Sequence, residues 1–123
     1  MSNEKMIRER PGTTQRKQDL LERIGTYVEA NLHRRVTLQE ISGEFKVSVS
    51  TVTQLFQKRA NTTFHQYLTH CRMEAAQELI RSGVPLEEVG RQVGYTDHSS
   101  FYRAFRQTFG VSPREFKQGK QEI

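Results

Sequence analysis

The spacing of apolar residues predicts that most of the chain is helical. Leu20, Leu21, Ile24, Tyr27 and Val28 recur every three or four residues, which places them on one face of a first helix. Similar spacing predicts short helices that begin near residues 38 and 49, further ones over 86–93 and 98–108, and a long helix over 64–82. The sequence has no run of alternating β-branched residues. We therefore expect an all-α fold of about seven helices.

Residues that favour helix ends stand at the breaks between these segments. The sequence TLQE at 37–40 predicts a capping box, in which Thr37 caps a helix and Glu40 reaches back to the backbone. Ser48 can cap the next helix, and Ser112 in SPRE predicts a final short helix that begins with Pro113. These signals predict where three of the helices start.

The first 17 residues show no apolar period. They are polar and include Pro11 and Gly12, so we expect a flexible leader or linker over residues 1–17. The folded domain is then expected over 18–119.

The chain also matches itself, because residues 37–67 align with residues 85–116. The matched pairs, at offsets of 48 and then 49 residues, are Leu38 with Leu86, Ile41 with Val89, Phe56 with Phe105, and Asn61 with Gly110. Asn and Gly are the residue types that best tolerate a left-handed helix end. Each copy has a short helix, a tight turn and a second helix, which predicts helix-turn-helix units at 38–59 and 86–108.

Charge and composition narrow the class of partner. Lys and Arg outnumber Asp and Glu by 19 to 14, so the net charge is +5, which favours a polyanion and nucleic acid first. The sequence has no run of eighteen apolar residues, so we expect no membrane span and no membrane partner. One cysteine cannot form an internal disulfide, and this fits a reducing cytoplasm.

Candidate catalytic chemistry is not apparent in the sequence. The histidines have no Cys or carboxylate companions at the spacing of metal ligands. Cys71 falls on the apolar stripe of the long helix, where a core role is favoured over a nucleophilic one. We expect a binding protein that is not an enzyme and uses no cofactor.

The C-terminal copy carries a family resemblance. Residues 85–117, PLEEVGRQVGYTDHSSFYRAFRQTFGVSPREFK, resemble the signature of AraC/XylS-type transcription regulators, and CRMEAAQELI at 71–80 resembles the linker helix of that family. In the first copy, Lys46 stands where the family usually has glycine. The resemblance implies a bacterial regulator, most often an activator that contacts RNA polymerase. Many members carry a separate effector or dimerisation domain, so the chain is either a small regulator or part of a longer protein.

The polar faces of the second helix in each unit are the expected DNA-binding surfaces. On the first recognition helix these residues are Ser50, Thr51, Thr53, Gln54 and Gln57, with Lys58 and Arg59 placed for phosphate. On the second recognition helix they are His98, Ser99, Tyr102, Arg103 and Arg106. Arg103 is the expected guanine contact, the alternative being an arginine that covers the linker helix. For the first helix, the alternative is a merely solvated face. The N-terminal amides of the second recognition helix are also expected to favour a phosphate.

Two recognition helices on one linker helix can enter successive major grooves, so a monomer could bind an asymmetric site in double-stranded DNA. Because the first motif lacks an arginine before Lys58, we expect the second half-site to dominate specificity. An alternative is an adaptor that uses the same surfaces to bind protein without contacting DNA.

The Phe residues at 101, 105, 109 and 116 are expected to form a scaffold, which leaves Tyr102 facing outward.

Overall fold

The computed structural model describes the backbone of residues 11–119 and the side chains of residues 16–119. This part of the chain forms seven helices and no strand, which confirms the all-α expectation. The helices are α1 (Pro11–Ala30), α2 (Leu38–Phe45), α3 (Val49–Ala60), α4 (Phe64–Arg81), α5 (Leu86–Gln92), α6 (His98–Phe109) and α7 (Pro113–Lys117). None of these helices is both long enough and apolar enough to cross a bilayer.

The expected flexible leader is wrong for residues 11–17, because α1 already begins at Pro11. Proline suits the first position of a helix, since its fixed φ is helical and the amide it lacks has no partner there. The first turns of α1 are polar and therefore carry no apolar period. Residues 1–10 of the expected leader lie outside the described residues.

Two hydrophobic clusters divide the domain, and α4 belongs to both. The first cluster packs α1, α2 and α3 against Phe64, Leu68 and Cys71 of α4. The second packs α5, α6 and α7 against the row of Met73, Ala76 and Ile80. Cys71 is 8% exposed, and burial raises the pKa of its thiol. One rigid helix thus carries two helix-turn-helix units.

The caps follow the sequence signals at most positions. Ser48 accepts a hydrogen bond from the amide of Thr51, and Ser112 forms a reciprocal capping box with Glu115. Thr37 likewise accepts from the amide of Glu40, at 3.1 Å. The capping box also predicts that the Glu40 carboxylate accepts a hydrogen bond from the backbone amide of Thr37. Instead, this carboxylate accepts hydrogen bonds from the side chains of Tyr27 and Arg34. A charged donor binds a carboxylate more strongly than a backbone amide does.

The internal repeat extends to backbone conformation. Asn61, with φ 53°, caps the C-terminus of α3, and Gly110, with φ 81°, caps that of α6, so both caps are left-handed as the alignment predicts. Between the two helices of each unit, Lys46 has φ 57° and Gly94 has φ 98°. Lys46 therefore adopts a left-handed backbone conformation, which residues other than Gly, Asn and Asp rarely adopt.

Candidate nucleic-acid interface

Helix α3 separates a buried face from a polar exposed one. Val52, Leu55 and Phe56 are at most 5% exposed and hold the helix against α1 and α4. Six of the seven residues predicted to contact DNA from this helix are exposed, namely Ser50, Thr51, Thr53, Gln54, Gln57 and Lys58, whereas Arg59 is half-buried. The Thr51 hydroxyl accepts a hydrogen bond from Ser48 at 2.9 Å, so it also takes part in the cap.

Helix α6 has the same division, with stronger charge on its outer face. Phe101 and Phe105 are fully buried, whereas His98, Ser99, Arg103 and Arg106 are exposed. Tyr102 is half-buried, and its ring lies 5.4 Å from that of His98. These two aromatic rings and the exposed arginines lie on the same outer surface of α6.

The two arginines of α6 differ in their surroundings. Arg106 forms an ion pair with Glu115 of α7, at 3.8 Å, although both side chains are well exposed. Arg103 is exposed one turn closer to the helix start. Exposure of Arg103 favours a role in binding over the alternative of a cover for the linker helix.

The start of α6 is capped by its own carboxylate, contrary to the expected phosphate site. Asp97 accepts hydrogen bonds from the amides of Ser99 and Ser100, each at 3.2 Å, and from the Ser100 hydroxyl at 2.7 Å. The hydrogen bond from Ser100 is the main cause that lowers the pKa of Asp97. An anionic cap occupies these amide donors and opposes a second anion at the same place.

Aromatic packing fixes where α6 points. The Phe105 ring lies 5.9 Å from that of Phe101, 4.7 Å from that of Phe109 and 5.6 Å from that of Phe116. Gly90 of α5 lies against the Phe101 side chain, and an added Cβ there would be 3.0 Å from the ring. The phenylalanines are thus the expected scaffold, and close approach of α5 requires a small residue.

Arg72 is a buried structural residue that the sequence did not reveal. Its side chain, 8% exposed, donates through Nη1 to the carbonyl oxygens of Leu32 (2.6 Å) and Val93 (2.5 Å). Nη2 donates to the carbonyl oxygen of Arg34 at 3.1 Å. Burial lowers the pKa of this guanidinium. Since Leu32 and Arg34 lie between α1 and α2 and Val93 lies in the turn of the second unit, Arg72 joins α4 to the segment that precedes the first unit and to the second unit.

Lys17 is a second residue that the sequence did not single out. It lies on α1, within a cleft of about 480 Å³ that separates α1 from the first recognition helix. The polar residues around this cleft are Lys17, Thr51, Gln54, Lys58 and Arg59. Lys17 was missed because it falls within the expected leader, where no apolar period indicates a helix.

Two units with exposed polar second helices, held on one shared helix, define a tandem helix-turn-helix domain of the DNA-binding type. A family model described as a helix-turn-helix domain matches residues 41–119. The chain belongs to this family, the AraC-type helix-turn-helix proteins.

Relatives in sequence are named as regulators. The chain is 32% identical over 95 residues to the probable transcriptional regulator LumQ of Photobacterium leiognathi. The aligned region covers 76% of this chain and 38% of that protein. It is 34% identical over 105 residues to the transcriptional activator NphR of a Rhodococcus species, over 84% of this chain and 31% of that protein. The chain thus spans less than two fifths of either relative.

Solved structures share the fold. The C-terminal domain of AraT, a response regulator from Geobacillus stearothermophilus, superposes with a TM-score of 0.76 at 25% identity, over 85% of this chain and 88% of that one. The DNA-binding domain of AdpA, a global transcriptional factor solved in complex with a target DNA, gives a TM-score of 0.74 at 22% identity. That likeness covers 81% of this chain and 90% of the AdpA chain.

Proposed function

We propose that the chain binds double-stranded DNA in a sequence-specific manner and regulates transcription as an activator. The observation that carries this proposal is the pairing of α3 and α6. Each is the second helix of a helix-turn-helix unit, each buries one face, and each exposes a polar face free of large aliphatic side chains. The net charge of +5 favours a polyanionic partner. The DNA complex of the AdpA domain, which has the same fold, supports this choice.

In the proposed mode of binding, α3 and α6 enter successive major grooves on one face of a promoter. Grooves on one face repeat every helical turn, about 34–36 Å apart. Because α4 is buried against both units, the units cannot turn independently, and the DNA bends where the grooves do not match. One chain is therefore enough to bind an asymmetric site. The proposed regulator would act in the bacterial cytoplasm. The proposed regulator would also contact RNA polymerase, as an activator does.

The second unit is proposed to dominate specificity. Helix α6 exposes Arg103 and Arg106, and arginine makes the most frequent specific contact to guanine in the major groove. Before Lys58, α3 exposes only uncharged Ser, Thr and Gln side chains. Such side chains contact bases with less discrimination than a bidentate arginine does.

Selection of bound duplexes from a random pool tests the proposal. We expect a two-part consensus whose parts lie one helical turn apart, and an affinity that falls steeply with salt. Scrambling the half bound by α6 should cost more affinity than scrambling the half bound by α3. Equal losses would contradict the dominance of the second unit. An affinity for a protein partner that hardly responds to salt, without a selected duplex, would favour the adaptor instead.

A further inference from the structure

The cleft between α1 and α3 extends the surface of the first recognition helix. Leu20 of α1 and Leu55 of α3 form its floor, and both belong to the first hydrophobic cluster. Thr51, Gln54 and Lys58 form one wall, since residues spaced by three and four positions share a helix face. Lys17 stands on the α1 side. A group that enters this cleft therefore touches α1 and the recognition helix together.

The polar lining suits an anion. Lys17, Lys58 and Arg59 bring three cationic side chains around the cleft, and Thr51 and Gln54 add a hydroxyl and an amide donor. None of the described lining residues is a carboxylate. Cations together with neutral donors are the groups that hold phosphate oxygens in protein–DNA interfaces.

We propose that Lys17, together with Lys58, binds a backbone phosphate of the DNA strand that borders the groove entered by α3. This inference rests on the proposed DNA-binding function. A helix in the major groove is flanked on both sides by phosphates, and α1 packs along one flank of α3. Lys17 thereby supplies a charged contact next to a recognition helix whose own base-facing residues are uncharged. Lys17 of α1 is then part of the DNA-binding surface of the first unit.

The salt dependence of binding tests this assignment. The probe is a duplex selected by the wild-type chain from a random pool, and affinity is measured by fluorescence anisotropy over a range of salt. Each phosphate contact contributes about 0.9 to the slope of log affinity against log salt. We expect Lys17→Gln to make the slope shallower by about 0.9, so its affinity deficit shrinks about threefold as salt rises from about 50 to about 200 mM.

Two matched variants separate the contact from a general loss of charge. Lys17→Arg keeps a cation in place and should retain the wild-type slope. Lys117→Gln removes the same charge from exposed α7 in the second unit and should leave the slope close to wild type. A wild-type slope for Lys17→Gln, or a loss as large for Lys117→Gln, overturns the inference.

A second experiment locates the phosphate. Replacing backbone phosphates one at a time by uncharged methylphosphonates should reveal one position, beside the first half-site, at which the replacement weakens the wild-type chain clearly more than it weakens Lys17→Gln, in which Lys58 remains. If no position shows this difference, the inference fails while the proposed function stands. If the wild-type chain selects no duplex, both fail. Shifts of the Lys17 and Lys58 resonances on adding inorganic phosphate, without any such position, would assign the cleft to a free anion and overturn the contact to DNA.

Discussion

The guanidinium of Arg72 occupies the space that a side chain at residue 94 would need. A Cβ added to Gly94 would overlap Arg72 Nη1 and the carbonyl oxygen of Leu32. Gly94 also has a backbone φ of 98°, which residues other than glycine rarely adopt. Glycine is therefore required twice at this turn, once by the backbone and once by the buried arginine.

Gly94→Ala should destabilise the domain by about 2–4 kcal/mol, the sum of a strained backbone and an overpacked site. Gly110→Ala is the matched control, because Gly110 also has a positive φ, of 81°, yet an added Cβ there meets open space. That control should lose only about 1 kcal/mol. Urea denaturation measures both losses. Equal losses would mean that the space around Arg72 does not matter.

Arg72→Met should cost at least about 2 kcal/mol, because it leaves buried carbonyl oxygens without donors. In that background, Gly94→Ala should become less costly than in the wild-type chain, since the overlapping nitrogen is gone. A double-mutant cycle in urea tests this coupling. Strictly additive losses would show that the two residues act independently.

The part of the structure that follows from local signals could be predicted. The caps at Ser48 and Ser112 depend on neighbours three residues away, and the left-handed ends at Asn61 and Gly110 are favoured by the residue types found there. The start of α1 could not be predicted, since its polar turns give no apolar period. Local signals thus predict the capped helix ends but not the polar start of α1.

The candidate site divides in the same way. The outward residues of α3 and α6 follow from helical periodicity, because the apolar residues identify the opposite face. The hydrogen bonds of Arg72 reach Leu32, which lies 40 positions earlier in the chain, and Val93, which lies 21 positions later. No local sequence pattern contains partners so far apart. Glu40 was assigned to a capping box because the partner that captures it, Arg34, lies outside the motif. Competition between partners is decided by tertiary geometry.

Lys46→Gly should stabilise the domain by about 0.5–1 kcal/mol, because glycine adopts the left-handed conformation without steric cost. Asn61→Gly is the comparison. Asparagine already tolerates a φ of 53°, so a smaller gain is expected there. The midpoint of thermal unfolding reports both changes. A destabilised Lys46→Gly would show that the Lys46 side chain makes contacts worth more than the strain.

The Glu40 carboxylate should make the stability of the fold depend on pH in the acidic range. Hydrogen bonds from Arg34 and then from Tyr27 lower its pKa from 4.5 to about 2 in the folded chain. A group whose folded pKa is depressed stabilises the fold above its unfolded pKa, and this contribution is lost as the pH falls through the folded value. We expect Glu40→Gln to lower the unfolding temperature at pH 7.

The difference between Glu40→Gln and the wild-type chain should then shrink between pH 4.5 and about pH 2. Glu44→Gln removes a carboxylate from the exposed face of the same helix and serves as control. Thermal scans at several pH values give the comparison. An effect of Glu40→Gln that stays constant down to pH 2 would exclude the ionised carboxylate as its source.

Arg103→Ala should relax the base preference of the chain at one position in the half-site bound by α6. A bidentate arginine discriminates against a wrong base by about 1–3 kcal/mol, so binding to the four base pairs at that position should become nearly equal. Arg106→Ala is the matched control, since Arg106 is paired with Glu115 and its loss should change affinity more evenly. Competition binding with single-base variants of the selected duplex measures both. If Arg103→Ala weakens every sequence alike, Arg103 contacts phosphate, and the specificity of α6 must come from its other exposed residues, which are His98, Ser99, Tyr102 and Arg106.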